Sequence, residues 1–171
     1  MRRAVRDEEF TAYVAARRAQ LRRTAYLLCG DSHRAEDLVQ AALVKLYVAW
    51  PRLRWDGNVD AFARRVVVNT HIDETRRPWR RERPGLGDVD PPARGRADAP
   101  EDRDALLTAL LGLPEGQRRV VVLRHYWGLS VRETADDLGI SPGTVKSQTS
   151  DALARLHHLL SPTFDDRNGH A

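Results

Sequence analysis

One cysteine, Cys29, stands in a chain of 171 residues. A lone thiol cannot close an intrachain disulfide, and it excludes a zinc site built from several cysteines. Lysine is nearly missing: Lys45 and Lys146 stand against 26 arginines. No apolar run approaches the ~18 residues that a membrane helix needs, so no membrane association is expected. The opening MRRAVRDEEF carries charge without an apolar core, so no secretory signal is expected and a cytoplasmic location follows by elimination. There is no HExxH, no glycine-rich phosphate loop and no nucleophile elbow. His157 and His158 are adjacent and would face different ways on a helix, and His125 stands apart. No catalytic residue, metal or cofactor is assigned, and the chain is expected not to be an enzyme.

What is present is a hydrophobic content of 42%, enough for a real core. The charge is uneven. Residues 1–83 carry 18 basic and 11 acidic side chains, whereas residues 84–171 carry 10 basic and 13 acidic. An excess of positive charge in one half suits a polyanionic partner, and it equally suits a solvated arginine-rich surface.

Periodicity predicts an all-α fold of two small helical domains joined by a flexible linker. Phe10, Val14, Leu21, Ala25 and Leu28 share one helical face over 6–28, closed by Gly30. Residues 34–50 repeat apolar side chains at three and four, from Ala35 to Trp50, and Pro51 is expected to end that helix. RLRWDGNVD (52–60) has loop chemistry, and a third helix is expected from about Asp60 to Arg77, stopped by Pro78. PGLGDVDPPARGRADAP (84–100) holds four prolines and three glycines without an apolar period. The expected domains are therefore 1–80 and 101–162, with a linker at 81–100 and a tail at 163–171.

In the C-terminal part, Leu106, Leu107, Leu110 and Leu111 form a helical face ended by Gly112, and Pro114 can open a helix carrying Val120, Leu123 and Trp127. Then comes LSVRETADDLGISPGTVKSQTSDALARL (129–156), which reads as a helix-turn-helix. Ser130-x-x-Glu133 is a capping-box pattern. Ala135 is small where two helices would touch, and Gly139 tolerates the positive φ of the turn. Leu138, Ile140 and Val145 can fill the space between the helices. Ser141 can cap the second helix, which is expected to end near Leu160. Its buried face would continue through Thr149, Ala152, Leu153 and Leu156, leaving Gly143, Thr144, Lys146, Ser147 and Ser150 outward near the helix N-terminus. Such residues touch base edges in this motif. An ordinary helical hairpin would share the pattern.

Three stretches in order resemble bacterial RNA polymerase sigma factors. AEDLVQAALVKLYVAW (35–50) looks like the second conserved region, FARRVVVNTHIDETRR (62–77) like the promoter-reading helix after it, and LPEGQRRVVVLRHYWGLSVRETADDLGISPGTVKSQTSDALARL (113–156) like region 4. Two domains without a third match the extracytoplasmic-function (ECF) group, and the wording is similar to its SigE-like actinobacterial members.

The resemblance implies a chain that binds core RNA polymerase and promoter DNA, with region 2 melting the minus-10 element and region 4 reading the minus-35 element. It also admits an anti-sigma factor as partner. Asp37 and Gln40 would contact the polymerase clamp helices. Asn69 matches the asparagine of the promoter-reading helix, with Arg65, Arg76 and Arg77 on phosphate around it. Trp55–Asp60 matches the segment that captures a flipped base, with Trp55 stacking and Asp56 and Asn58 bonding the base edge. Turn formation and solvated helix faces are the plainer readings of these same residues. Trp50 can also stack but lies on the buried face. In region 4, Thr144, Lys146, Ser147, Ser150 and Arg155 would meet the minus-35 element, with Arg118, Arg119 and Arg124 on flanking backbone.

Two residues depart from the pattern. Ala41 stands where the family usually has Glu, and Asp151 where it usually has Arg. With the acidic balance of its half, Asp151 implies weak DNA binding by region 4 alone. A LuxR-like regulator binding operator DNA directly is the competing reading, although residues 1–80 lack the alternating strands and helices of a phosphorylatable receiver.

Overall fold

The computed structural model describes residues 2–76 and 101–168, with side chains for 2–76 and 105–161. The predicted linker and Arg77 lie outside the described residues. Among the described residues every regular element is a helix, and no helix is long and apolar enough to cross a membrane. The chain divides into two units, Met1–Gly95 and Arg96–Ala171, which are taken separately.

The first unit packs three helices on one another: α1 (Arg2–Cys29), α2 (Ser32–Asp56) and α3 (Val59–Arg76). Their apolar stripes meet as Leu21, Ala25 and Leu28 from α1, Leu38, Val39, Ala42 and Leu46 from α2, and Ala63, Val67 and Val68 from α3, all buried. Gly30, at φ 73°, ends α1 as expected, its N–H donating to the Tyr26 carbonyl at 2.7 Å. Asp31 then caps α2 by accepting from the Arg34 N–H at 2.9 Å. Phe10, Tyr47 and Trp50 form an edge-on aromatic cluster, with centroids 5.1 and 5.4 Å from Phe10. Trp50, only 5% exposed, is thus a core residue.

Pro51 does not end α2. The helix runs to Asp56 and closes on Gly57 in the left-handed conformation, φ 70°. A proline in a helix interior costs about 3 kcal/mol. Burial of Leu53, worth about 1.5–3 kcal/mol, and the 2.7 Å ion pair of Arg54 with Glu9 offset much of it. The predicted loop at 52–60 therefore shrinks to Gly57 and Asn58. Phe62 N–H donates to the Asn58 carbonyl at 3.2 Å, so Asn58 already opens α3.

The second unit contains α4 (Glu101–Leu111), α5 (Glu115–Val121), a single π turn (Val122–Tyr126), α6 (Val131–Leu138) and α7 (Pro142–Asn168). Pro114 sits just before α5 rather than at its first position. The helix predicted to carry on to Trp127 widens instead. Trp127 N–H reaches back five residues to the Val122 carbonyl at 3.1 Å, and Gly128 reverses the chain at φ 69°. Val120, Val121, Val122, Leu123, Leu129, Ala135, Val145, Ala152 and Leu156 fill this core. The last helix passes its expected end near Leu160 and runs through most of the predicted tail; Gly169 is the first glycine after Gly143.

Candidate nucleic-acid interface

In the second unit the turn between α6 and α7 is built as the sequence predicts. The Ser130 hydroxyl accepts from the Glu133 N–H at 3.1 Å, while the Glu133 carboxylate accepts from the Ser130 N–H at 2.7 Å. Both orphan donors at the start of α6 are thereby satisfied. Gly139 takes φ 64°, and the Ile140 N–H bonds the Ala135 carbonyl at 3.1 Å. Ala135 and Val145 are buried with Val120, and Val131, Leu138 and Ile140 pack around them. Ser141 caps α7 by accepting from the Thr144 N–H at 3.1 Å.

That packing turns Gly143, Lys146, Ser147 and Ser150 outward, with Thr144 half-buried beside them. The hydroxyl of Thr144 lies 2.8 Å from that of Ser141, and Ser147 donates to the Thr144 carbonyl at 3.1 Å. Two of the candidate readers thus hold local bonds that a base edge or phosphate can replace. Asp151 and Arg155 are exposed one turn further on. Leu153, expected in the core, is 45% exposed; Ala152 and Leu156 supply the contact instead.

Three arginines assigned to flanking DNA have work inside the unit. Arg118 donates to the carbonyls of Leu110, Leu111 and Leu113 at 3.0, 2.9 and 3.1 Å, satisfying the end of α4. Arg124 donates to the Leu129 carbonyl and fixes the approach to Ser130. Arg119 is largely buried and pairs with Glu115 at 3.2 Å.

In the first unit, Arg65, Asn69 and Arg76 are all exposed on α3. Spacings of four and seven residues place them within about 40° of one direction on the helix. Trp55 and Asp56 lie in the last turn of α2, and Asn58 at the corner leading into α3, all exposed. Trp55 is 78% exposed, and the Arg54 guanidinium lies over its ring, 5.0 Å from the centroid. Asp37 and Gln40 are exposed on α2. Val44 and Val48, 64% and 75% exposed, continue that face and were not singled out from the sequence. Their signal was there: valines at seven and eleven residues from Asp37 point with it, away from the Leu38–Leu46 stripe.

The family model for Sigma-70 region 2 matches residues 13–81, and that for Sigma-70, region 4 matches residues 103–156. The RNA polymerase sigma-E factor of Streptomyces coelicolor is 40% identical over 152 residues, covering 89% of this chain and 86% of that protein. The ECF sigma factor SigM of Mycobacterium tuberculosis is 38% identical over 141 residues, covering 82% and 71%. The chain belongs to the ECF family of RNA polymerase sigma factors. Sigma factors are DNA-binding initiation factors that work with core RNA polymerase, not enzymes.

The fold of this ECF chain agrees. The sigma factor RpoE of Bartonella quintana, solved with the anti-sigma factor NepR, superposes with a TM-score of 0.72 at 26% identity, covering 90% of this chain and 98% of that one. CnrH, solved with the cytosolic domain of CnrY, gives 0.61 at 26% identity, covering 91% and 90%. The region 2 match begins within α1 and takes in α2 and α3, and the region 4 match begins within α4 and ends within α7.

Proposed function

We propose that this chain binds core RNA polymerase in the cytoplasm and directs promoter-specific initiation, region 2 opening the minus-10 element and region 4 reading the minus-35 element. The observation that carries the reading is the single exposed face Arg65–Asn69–Arg76 on α3. One amide that can pair with a base edge stands between guanidinium groups that can meet phosphate. Arg77 follows in sequence and is assigned to the same phosphate contacts.

Around that face the roles divide by chemistry. Asp56 and Asn58 at the corner offer acceptors and donors to an unstacked base, offsetting the few kcal/mol that flipping costs. Trp55 supplies a stacking surface beside them. In region 4 the α7 N-terminus presents Thr144, Lys146, Ser147 and Ser150 to base edges, with Arg155 on phosphate. Among the described side chains of α7, only Lys146 and Arg155 bring the positive charge of a lysine or arginine, and Asp151 opposes them, so region 4 binds DNA weakly alone. Tethering both regions through polymerase supplies the missing affinity.

Asp37, Gln40, Val44 and Val48 form the proposed polymerase contact. Exposed valines flanked by polar side chains suit a protein surface better than phosphate. An anti-sigma factor is a further proposed partner, in keeping with the complexes in which RpoE and CnrH were solved. The polymerase contact is tested with core enzyme from Streptomyces coelicolor and fluorescently labelled chain. Val48→Asp is expected to weaken core binding at least tenfold while leaving thermal unfolding unchanged. Unchanged core affinity would remove this face from the proposal.

A further inference from the structure

The carboxylate of Glu36, in the second turn of α2, is gripped from a neighbouring helix. Arg18 donates to one of its oxygens and Arg22 lies 3.3 Å from the other, both reaching over from α1. Held at both oxygens, it lacks the freedom of an ordinary surface glutamate. The Arg18 hydrogen bond keeps its carboxyl below the usual carboxylate range, so at neutral pH it is ionised and can only accept. One turn further along α2, the Gln40 amide nitrogen donates at 3.4 Å to the oxygen that Arg18 holds.

That bond fixes which way the Gln40 amide points. An amide carries its donor and its acceptor on different sides. With the nitrogen turned to an acceptor-only carboxylate, the carbonyl oxygen faces away from Glu36. Gln40 is exposed, and so is Asp37 one turn before it. Two acceptors therefore stand together on α2, followed along the helix at four-residue steps by the exposed Val44 and Val48.

We propose that Glu36 is a positioning residue for the polymerase contact: clamped by Arg18 and Arg22, it turns the Gln40 oxygen outward beside the Asp37 carboxylate. The facing surface must then supply hydrogen-bond donors opposite these two residues and apolar side chains opposite the valines. An arginine or lysine meets the first need, because it both donates and neutralises Asp37. The gain is one of preorganisation. A free glutamine side chain samples several rotamers and both amide orientations, and binding must select one of them. Glu36 makes that selection before the partner arrives. The inference rests on the polymerase contact proposed for α2 and adds a residue that need not itself touch polymerase.

The test measures binding of the fluorescently labelled full chain to Streptomyces coelicolor core RNA polymerase. Glu36→Ala removes the acceptor and is expected to weaken binding about fivefold, in the range of one hydrogen bond. Glu36→Gln keeps an oxygen that can accept from the Gln40 nitrogen, and its affinity is expected within about twofold of wild type. Gln40→Glu added to the Glu36→Ala chain presents an oxygen in either orientation, and is expected to recover most of the loss. A purely structural role for Glu36 would not respond to a change at Gln40, and a general charge effect would strike Glu36→Gln as hard as Glu36→Ala. Either pattern would overturn the proposal. So would wild-type affinity of Glu36→Ala alongside weakened binding by Val48→Asp, a result that leaves the polymerase face itself standing. Core affinity moved by neither Val48→Asp nor Glu36→Ala would remove the face and this inference with it. Thermal melts of the Glu36 variants are expected to shift by no more than about 2 °C, which keeps folding separate from binding.

Discussion

The hydroxyl of Tyr13, on α1, donates to the carboxylate of Asp60 in the first turn of α3 at 2.7 Å. Arg17 holds the second carboxylate oxygen at 3.1 Å. This clamp sits two residues past the Gly57–Asn58 corner, so it fixes where the corner and its candidate base-capturing residues lie against the bundle. Tyr13→Phe is expected to destabilise the first unit by about 1 kcal/mol, the net worth of a partly exposed hydrogen bond. Burial first, and the bond to Asp60 second, push the Tyr13 phenol well above its ordinary range. Its folded value thus exceeds its unfolded one, near 10. The contribution is complete below about pH 10 and is lost as pH rises toward the folded value. Urea unfolding followed from pH 8 to 11 should show a decline above pH 10 that Tyr13→Phe lacks.

Ser130 and Glu133 start α6 by reciprocal bonding. Ser130→Ala is expected to cost the second unit about 1 kcal/mol. The loss should appear as a lower melting temperature, with DNA contacts on α7 unchanged in the folded fraction.

Gly139 adopts φ 64°, and a Cβ there would meet nothing within 4 Å. The cost of Gly139→Ala is therefore backbone strain alone, about 1–2 kcal/mol. Gly139→Asn should recover part of it, since asparagine visits the left-handed region more readily. Equal stability of the alanine variant and wild type by urea titration would contradict this.

The Arg18 hydrogen bond holds the Glu36 carboxyl below the usual carboxylate range. Its folded value lies under its unfolded one, so its contribution is present above the unfolded value and lost as pH falls through the folded value. Both side chains are substantially exposed, which limits the effect. Glu36→Gln should shift the melting temperature by no more than about 2 °C at pH 7, and by less near pH 3.

The parts legible in the sequence were those set by local chemistry. Ser130, Gly139, Ser141 and Gly30 act within a few residues, so their types and spacing announce the caps and turns they make. Pro51 misled because its local cost was outweighed by burial of Leu53, a tertiary effect that proline rules do not carry. The π turn at Val122–Tyr126 was invisible for the same reason: four apolar residues in a row satisfy either winding. Among site residues, Asn69, Arg65 and Arg76 were singled out by the family resemblance, and α3 leaves all three exposed. The duties of Arg118 and Arg124 were not legible, since a guanidinium bonding a distant carbonyl leaves no periodic trace. Val44 and Val48 lie off the apolar stripe of α2, and a valine on the far face does not by itself say whether solvent or a partner meets it.

The most direct measurement is run-off transcription with purified chain, Streptomyces coelicolor core RNA polymerase and a pool of promoter fragments from a related actinobacterium. The account predicts transcripts that require this chain and fall at least tenfold with Asn69→Ala, a loss in the range of one base-edge contact. Transcripts that Asn69→Ala supports as well as wild type would contradict the placement of promoter reading on α3. Absence of chain-dependent transcripts, together with tight salt-sensitive duplex binding by the chain alone, would contradict the central claim and favour a direct operator-binding regulator.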